Sequence, residues 1–129
     1  MSSDTAEGFA RLFSQAWLAQ DTATLAQLFT EDADFLSLTG VWAEGRPAIE
    51  RTLKSELTGA FARARLVTGR AKLRALGPGA AIIHQRFVLS GILNADGSDA
   101  GRVGTVLMAV LVRNAAGWLA VSAQFTAEG

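Results

Sequence analysis

Cysteine is absent from the 129 residues, and histidine occurs once, at His84. That excludes disulfides, a catalytic thiol, and zinc sites built from cysteines or several histidines. Excess charge is missing too, since 12 basic residues stand against 12 acidic ones. A chain with no net charge lacks the electrostatic footprint of a nucleic-acid or membrane-surface binder. Long apolar runs are also missing. The longest, Val106 to Val112, is far shorter than the roughly 20 residues a helix needs to cross a bilayer. Its β-branched content suits a buried strand instead. Met1-Ser2-Ser3-Asp4 offers neither the basic nor the apolar region of a secretory signal. The expectation is a cytoplasmic protein with no nucleic-acid and no membrane partner.

What is present suffices for one domain, residues 1–129, with a real core, because half of the residues are hydrophobic. Asp4 and Glu7 have capping-box spacing, with Asp in place of Ser or Thr. Phe9, Leu12, Phe13, Ala16 and Trp17 then recur at helical spacing. Asp21 can cap a second helix that buries Leu25, Leu28 and Phe29. Ala33 to Leu38 reads as a short strand. Pro47 suits the first turn of a third helix, with Ile49, Leu53 and Leu57 on one face, a Glu50–Lys54 pair on another, and an end near Gly59.

Beyond Gly59 the pattern changes to strands. Ala64 to Leu76, Ala80 to Leu93, Arg102 to Arg113 and Trp118 to Thr126 are separated by Gly77-Pro78-Gly79, Asn94 to Gly101, and Asn114 to Gly117. Short consecutive connections favour an antiparallel meander. Helices first and strands second predict an α+β fold with helices packed on one face of a curved sheet.

This order resembles the SnoaL-like group of the nuclear transport factor 2-like superfamily. The resemblance is carried by Asp21, Gln27-Leu28-Phe29, Glu31-Asp32-Ala33, Gly40, Gly45-Arg46-Pro47-Ala48-Ile49 and Gly117-Trp118. The SgcJ/EcaC-type branch is most similar, through Ala81-Ile82-Ile83-His84 and Gln124 to Thr126. That branch often ends Gln-Asn-Thr, and Phe125 departs from it. The resemblance implies a cystatin-like cone: three N-terminal helices closing a strongly curved, mostly antiparallel sheet around a pocket, often in a homodimer. Such proteins include isomerases, polyketide cyclases, dehydratases, epoxide hydrolases and non-enzymatic binding or assembly domains. Aligned on those motifs, the general-base Asp of ketosteroid isomerases falls at Ser37. Their first-helix Tyr falls at Phe13, and their second oxyanion donor near Ala109 to Val110. All three roles are vacant, so that machinery is excluded.

No acid lies within the four long strands, whereas Arg65, Arg70, Lys72, Arg74, Arg86, Arg102 and Arg113 do. A carboxylate pair on the sheet wall, as in glycosidases, is thereby excluded. His84 is the one side chain whose ordinary pKa suits proton transfer near neutrality. Strand period places Arg86 on the same face. The pair can be read as a general base with an anion stabiliser lining the pocket, or as residues of the outer sheet face. The opposite face, with Ala81, Ile83, Phe87 and Leu89, is the more apolar. If Phe35 and Ser37 point inward, Asp34 points outward, to cap or to meet solvent, and Glu44, in the loop before the third helix, is within reach of the pocket mouth but reads as a solvated residue.

Phe13, Trp17, Phe35, Trp42 and Phe61, with Phe9 and Trp118, can line a cavity for a flat apolar ligand or simply form the core. Trp42 stands apart, because Gly40 and Gly45 bracket it in a loop. Ser37 and Gln124 are candidate polar anchors. Asn94 to Asp99 imitates a calcium loop but has Thr105 at the twelfth position. Gly77-Pro78-Gly79 is followed by no Lys-Ser/Thr pair, so it is no phosphate loop. No metal or cofactor is expected.

Three functions follow. The chain binds a small hydrophobic molecule, neutral or anionic. Alternatively it is an isomerase, cyclase or dehydratase for a polyketide-like or aromatic substrate, with His84 as base. Alternatively it is a dimeric assembly domain with a vestigial pocket. Strands with Val, Leu and Ile on both faces lead to the expectation of a homodimer through the exposed sheet face.

Overall fold

The computed structural model describes residues 3–128. Helix α1 (Gly8–Leu18) turns Phe9, Phe13, Ala16 and Trp17 to one side and buries all four. The Asp4/Glu7 capping box is not formed. The Glu7 side chain caps nothing, and the Gly8 amide donates instead to the Thr5 hydroxyl at 3.1 Å. The reason lies upstream: Ser3 exchanges backbone hydrogen bonds with Trp118 at 3.3 and 2.8 Å, which draws the leading residues onto the sheet. Helix α2 (Thr22–Gln27) is capped as expected. Asp21 accepts from the Thr24 amide at 3.1 Å and its hydroxyl at 2.7 Å. These bonds hold the Asp21 carboxyl below the usual range, the side-chain bond more than the backbone one.

Strand β1 (Phe29–Leu36) starts four residues earlier than expected, directly from the end of α2. Gly40, at φ 86°, permits a tight reversal, and Ser37 donates its amide to the Val41 carbonyl at 2.9 Å. The expected loop around Trp42 is therefore a strand, β2 (Trp42–Glu44), antiparallel to β1. Helix α3 (Arg46–Thr58) has Pro47 in its first turn and buries Ile49, Leu53, Glu56 and Leu57.

The four long strands are β3 (Arg65–Ala75), β4 (Ala80–Ser90), β5 (Val103–Asn114) and β6 (Gly117–Ala127). They form the expected antiparallel meander. The sheet order is β2-β1-β6-β5-β4-β3, with β1 parallel to β6. The result is an α+β fold in which the helices cover one face of a strongly curved mixed sheet that does not close on itself. Alternation along β4 is clean: Ala81, Ile83, Gln85, Phe87 and Leu89 are buried, while His84, Arg86 and Val88 are exposed. Gln85 is the polar exception inside. Its amide donates to the Gly69 and Arg86 carbonyls at 3.1 and 3.0 Å, which pins the bulge between Thr68 and Ala71 in β3. Among the described residues no helix is long and apolar enough to cross a membrane.

Candidate functional site

The interior of the curved sheet is occupied by rings. Phe125 meets Phe13, Phe87 and Trp17 at centroid distances of 5.7, 6.1 and 6.5 Å. Phe35 meets Phe29 and Phe13 at 5.5 and 6.4 Å. Phe9 completes the cluster against Phe13 and Phe29. Phe13 and Phe35 are fully buried and Ser37 is almost so. Phe13 and Phe35, two expected ligand contacts, are therefore core residues, because neighbouring rings fill the space they face, and the third, Ser37, is buried among polar partners.

Ser37 belongs to a polar knot at the end of β1. Its hydroxyl accepts from the Val41 amide at 3.1 Å and lies 3.3 Å from the Thr39 hydroxyl. Thr39 donates its amide and its hydroxyl to one oxygen of Glu56, at 3.2 and 2.5 Å. Glu56 is only 7% exposed. It is absent from the candidate residues above, although the sequence carries a signal: Glu56 stands seven residues after Ile49 and three after Leu53, on the buried stripe of α3. The knot ties the β1–β2 turn to α3.

His84 and Arg86 do share a face, and it is the outer one. They stand with Arg70, Lys72 and Val106 in a shallow cleft of about 280 Å³. The Arg86 guanidinium is ion-paired with Glu128. The reading that put His84 and Arg86 inside the cone is thus corrected, for the alternation of β4 gives the covered face to its apolar residues. Trp42 and Gln124 are outer-face residues as well. They share a second cleft, of about 330 Å³, with Asp34 and Leu36. The Trp42 indole donates to Asp34 at 2.9 Å, which is the outward role open to that acid. Glu44 is exposed.

Two expected ligand contacts, Trp17 and Phe61, come together elsewhere. They floor a cleft of about 360 Å³ at the rim, where the end of α1 meets the start of β3. Leu66 and Val67 add apolar surface, and Arg63 and Arg65 add cations. Both arginines are exposed, and neither is held in an ion pair among the described residues. The Trp17 indole N–H is buried and has no hydrogen-bond partner among the described residues.

Two backbone arrangements shape the walls of the cleft. Gln20, a non-glycine residue at φ 57°, donates its side-chain amide to the Leu57 and Ala62 carbonyls at 3.1 and 2.9 Å. This left-handed conformation is unfavourable for a residue with a side chain and persists only where its surroundings enforce it. Gly91, at φ 73°, backs the opposite wall so closely that a Cβ there would lie 2.5 Å from the Arg63 carbonyl oxygen. Arg63 and Gln20 were not anticipated as site residues, since nothing in their sequence neighbourhood indicates that α1 and β3 meet there.

Searches of protein-family models and of curated proteins return no match. Solved structures do match. A protein with a cystatin-like fold from Caulobacter vibrioides superposes with a TM-score of 0.87 at 18% identity, over 98% of this chain and 89% of the other. A nuclear transport factor 2-like protein with a cystatin-like fold from Novosphingobium aromaticivorans gives 0.75 at 19%, over 96% and 79%. A ketosteroid isomerase-like protein from Erwinia carotovora atroseptica gives 0.75 at 16%, over 95% and 93%.

Proposed function

We infer the function of this chain, which has the cystatin-like, nuclear transport factor 2-like fold, from what its surfaces can hold. We propose that it binds a small, flat, apolar anion in the rim cleft. The observation that carries this reading is a cleft lined by Trp17, whose buried indole N–H has no partner among the described residues, and by two guanidinium groups that form no ion pair among those residues. A buried unsatisfied donor costs about 1–3 kcal/mol, which a ligand acceptor can recover. Trp17, Phe61 and Leu66 supply the apolar floor, and Arg63 and Arg65 supply the charge that selects an anion. Among the described residues that line the cleft the two arginines are the titratable ones, which favours the reading of a binder. The alternative enzymatic reading requires an inward His84, and its imidazole lies on the other side of the sheet.

Calorimetry with 2-naphthoate tests it. Saturable one-to-one binding is expected, with 2-naphthylmethylammonium binding far more weakly. Arg65→Glu and Trp17→Phe should each weaken naphthoate at least tenfold, the first by charge and the second by removing the donor while keeping a ring. Absence of binding, or equal affinity for the cation and the anion, sinks the proposal.

The filled interior supports a second reading, an assembly domain whose cone pocket has been closed by aromatic side chains.

A further inference from the structure

A net charge of zero hides an uneven distribution along the chain. From residue 57 to residue 95 the cations are Arg63, Arg65, Arg70, Lys72, Arg74 and Arg86, and no Asp or Glu occurs. Most of them stand on β3, the last strand of the sheet. Its one neighbour is β4, and among the described residues no other backbone hydrogen bond reaches residues 65–75. The bulge between Thr68 and Ala71 divides the strand. Before the bulge, Arg65 belongs to the rim cleft. Beyond it, residues 71–75 form a regular run paired with residues 81–85. Lys72 and Arg74 lie on the outer face of that run, opposite His84 and Ile82, and both are exposed. Leu73 lies on the helix-covered face and is half-buried, with Ala71 and Ala75 exposed on either side of it. Arg86 is ion-paired with Glu128, whereas Lys72 and Arg74 form no ion pair among the described residues.

We infer that residues 71–75 accept an extended acidic peptide as an added edge strand, one in which Asp or Glu alternates with β-branched apolar residues. The free edge presents amide and carbonyl groups in a row, which is what strand addition uses. Alternation then sorts the side chains of the incoming strand. Those on the outer face stand beside Lys72 and Arg74, where carboxylates are favoured. Those on the other face stand beside Ala71, Leu73 and Ala75, where Val or Ile extends the apolar surface. The same cations work against β3 of another copy, since edge-to-edge pairing would set like charges side by side. Charge therefore bars self-pairing at this edge and admits an acidic strand. A nucleic-acid strand would meet the cations too, but it makes no use of the backbone edge or of Leu73. The inference is independent of the rim cleft, which lies on the other side of the bulge.

Fluorescence anisotropy with a labelled Glu-Val-Glu-Val-Glu-Val peptide tests the inference. Saturable one-to-one binding is expected. Glu-Glu-Glu-Val-Val-Val, of equal charge but without alternation, should bind at least tenfold more weakly. Two further peptides carry N-methyl groups either on every Glu or on every Val. In an added strand only one of these sets of amides faces β3, so one peptide should bind and the other should lose at least tenfold. Lys72→Glu with Arg74→Glu should weaken the acidic peptide at least tenfold and gain binding to Lys-Val-Lys-Val-Lys-Val. Both positions are exposed, circular dichroism reports whether the variant is folded, and the N-methylated pair needs no variant at all. Absence of saturable binding to wild type overturns the inference. So does equal affinity for the two N-methylated peptides, or a folded variant that binds the acidic peptide like wild type. An oligothymidylate that displaces the peptide at equal concentration also overturns it, by assigning the edge to nucleic acid.

Discussion

The rings of Phe13 and Phe125 meet edge to face, with centroids 5.7 Å apart and planes at 83°. One comes from α1 and the other from β6, so the contact closes the cone between helix and sheet. Both rings are buried and fill the volume between the two elements. Phe125→Ala should cost about 3–5 kcal/mol in urea unfolding, the transfer free energy of the ring plus the cavity it leaves. A loss below about 1 kcal/mol would mean that the interior is not packed as described.

Glu56 and Thr39 give a second stability prediction. Glu56→Ala leaves the Thr39 amide and hydroxyl without their shared acceptor, at a cost of about 1–3 kcal/mol. Glu56→Gln keeps an acceptor oxygen and should lose less. Equal losses in the two variants would contradict the assigned role.

The Asp21 cap predicts a pH dependence with a definite sign. Its folded carboxyl titrates below the ordinary value of 3.8, because Thr24 donates to the charged form. The cap therefore adds stability that is fully present above pH 3.8 and lost as pH falls through the lower folded value. Asp21→Asn should flatten that part of the melting temperature profile. Parallel profiles for the two proteins would refute the assignment.

Gly91→Ala tests the wall of the rim cleft. The added methyl group meets the Arg63 carbonyl oxygen at 2.5 Å, and φ 73° strains any side chain there. Expected are a destabilisation of about 1–3 kcal/mol and weaker 2-naphthoate binding, since Arg63 and Ala64 must move. Unchanged affinity would separate the cleft from this wall.

Much of the fold was legible in the residues, because its signals are local. The glycine and proline clusters place the ends of β3 to β6 within about three residues of those observed. Alternation in β4 already pointed to the covered face. What escaped notice was non-local or too short. The parallel pairing of β1 with β6 joins segments from opposite ends of the chain, and β2 has only three residues and no period. Among the site residues, only aromatic character marks Trp17 and Phe61 in the sequence. Their meeting with Arg63 and Arg65 depends on where α1 ends relative to β3, which no pattern within either segment encodes.

Indole N–H resonances offer the most direct test, because the chain has three tryptophans in three environments. Trp17 floors the rim cleft without an indole hydrogen-bond partner among the described residues, Trp42 is bonded to Asp34 on the outer face, and Trp118 sits at the start of β6. In a 1H–15N titration with 2-naphthoate, the Trp17 signal should move saturably in one-to-one proportion while those of Trp42 and Trp118 stay in place. A stationary Trp17 signal, or movement at Trp42 alone, would contradict a ligand site at the rim.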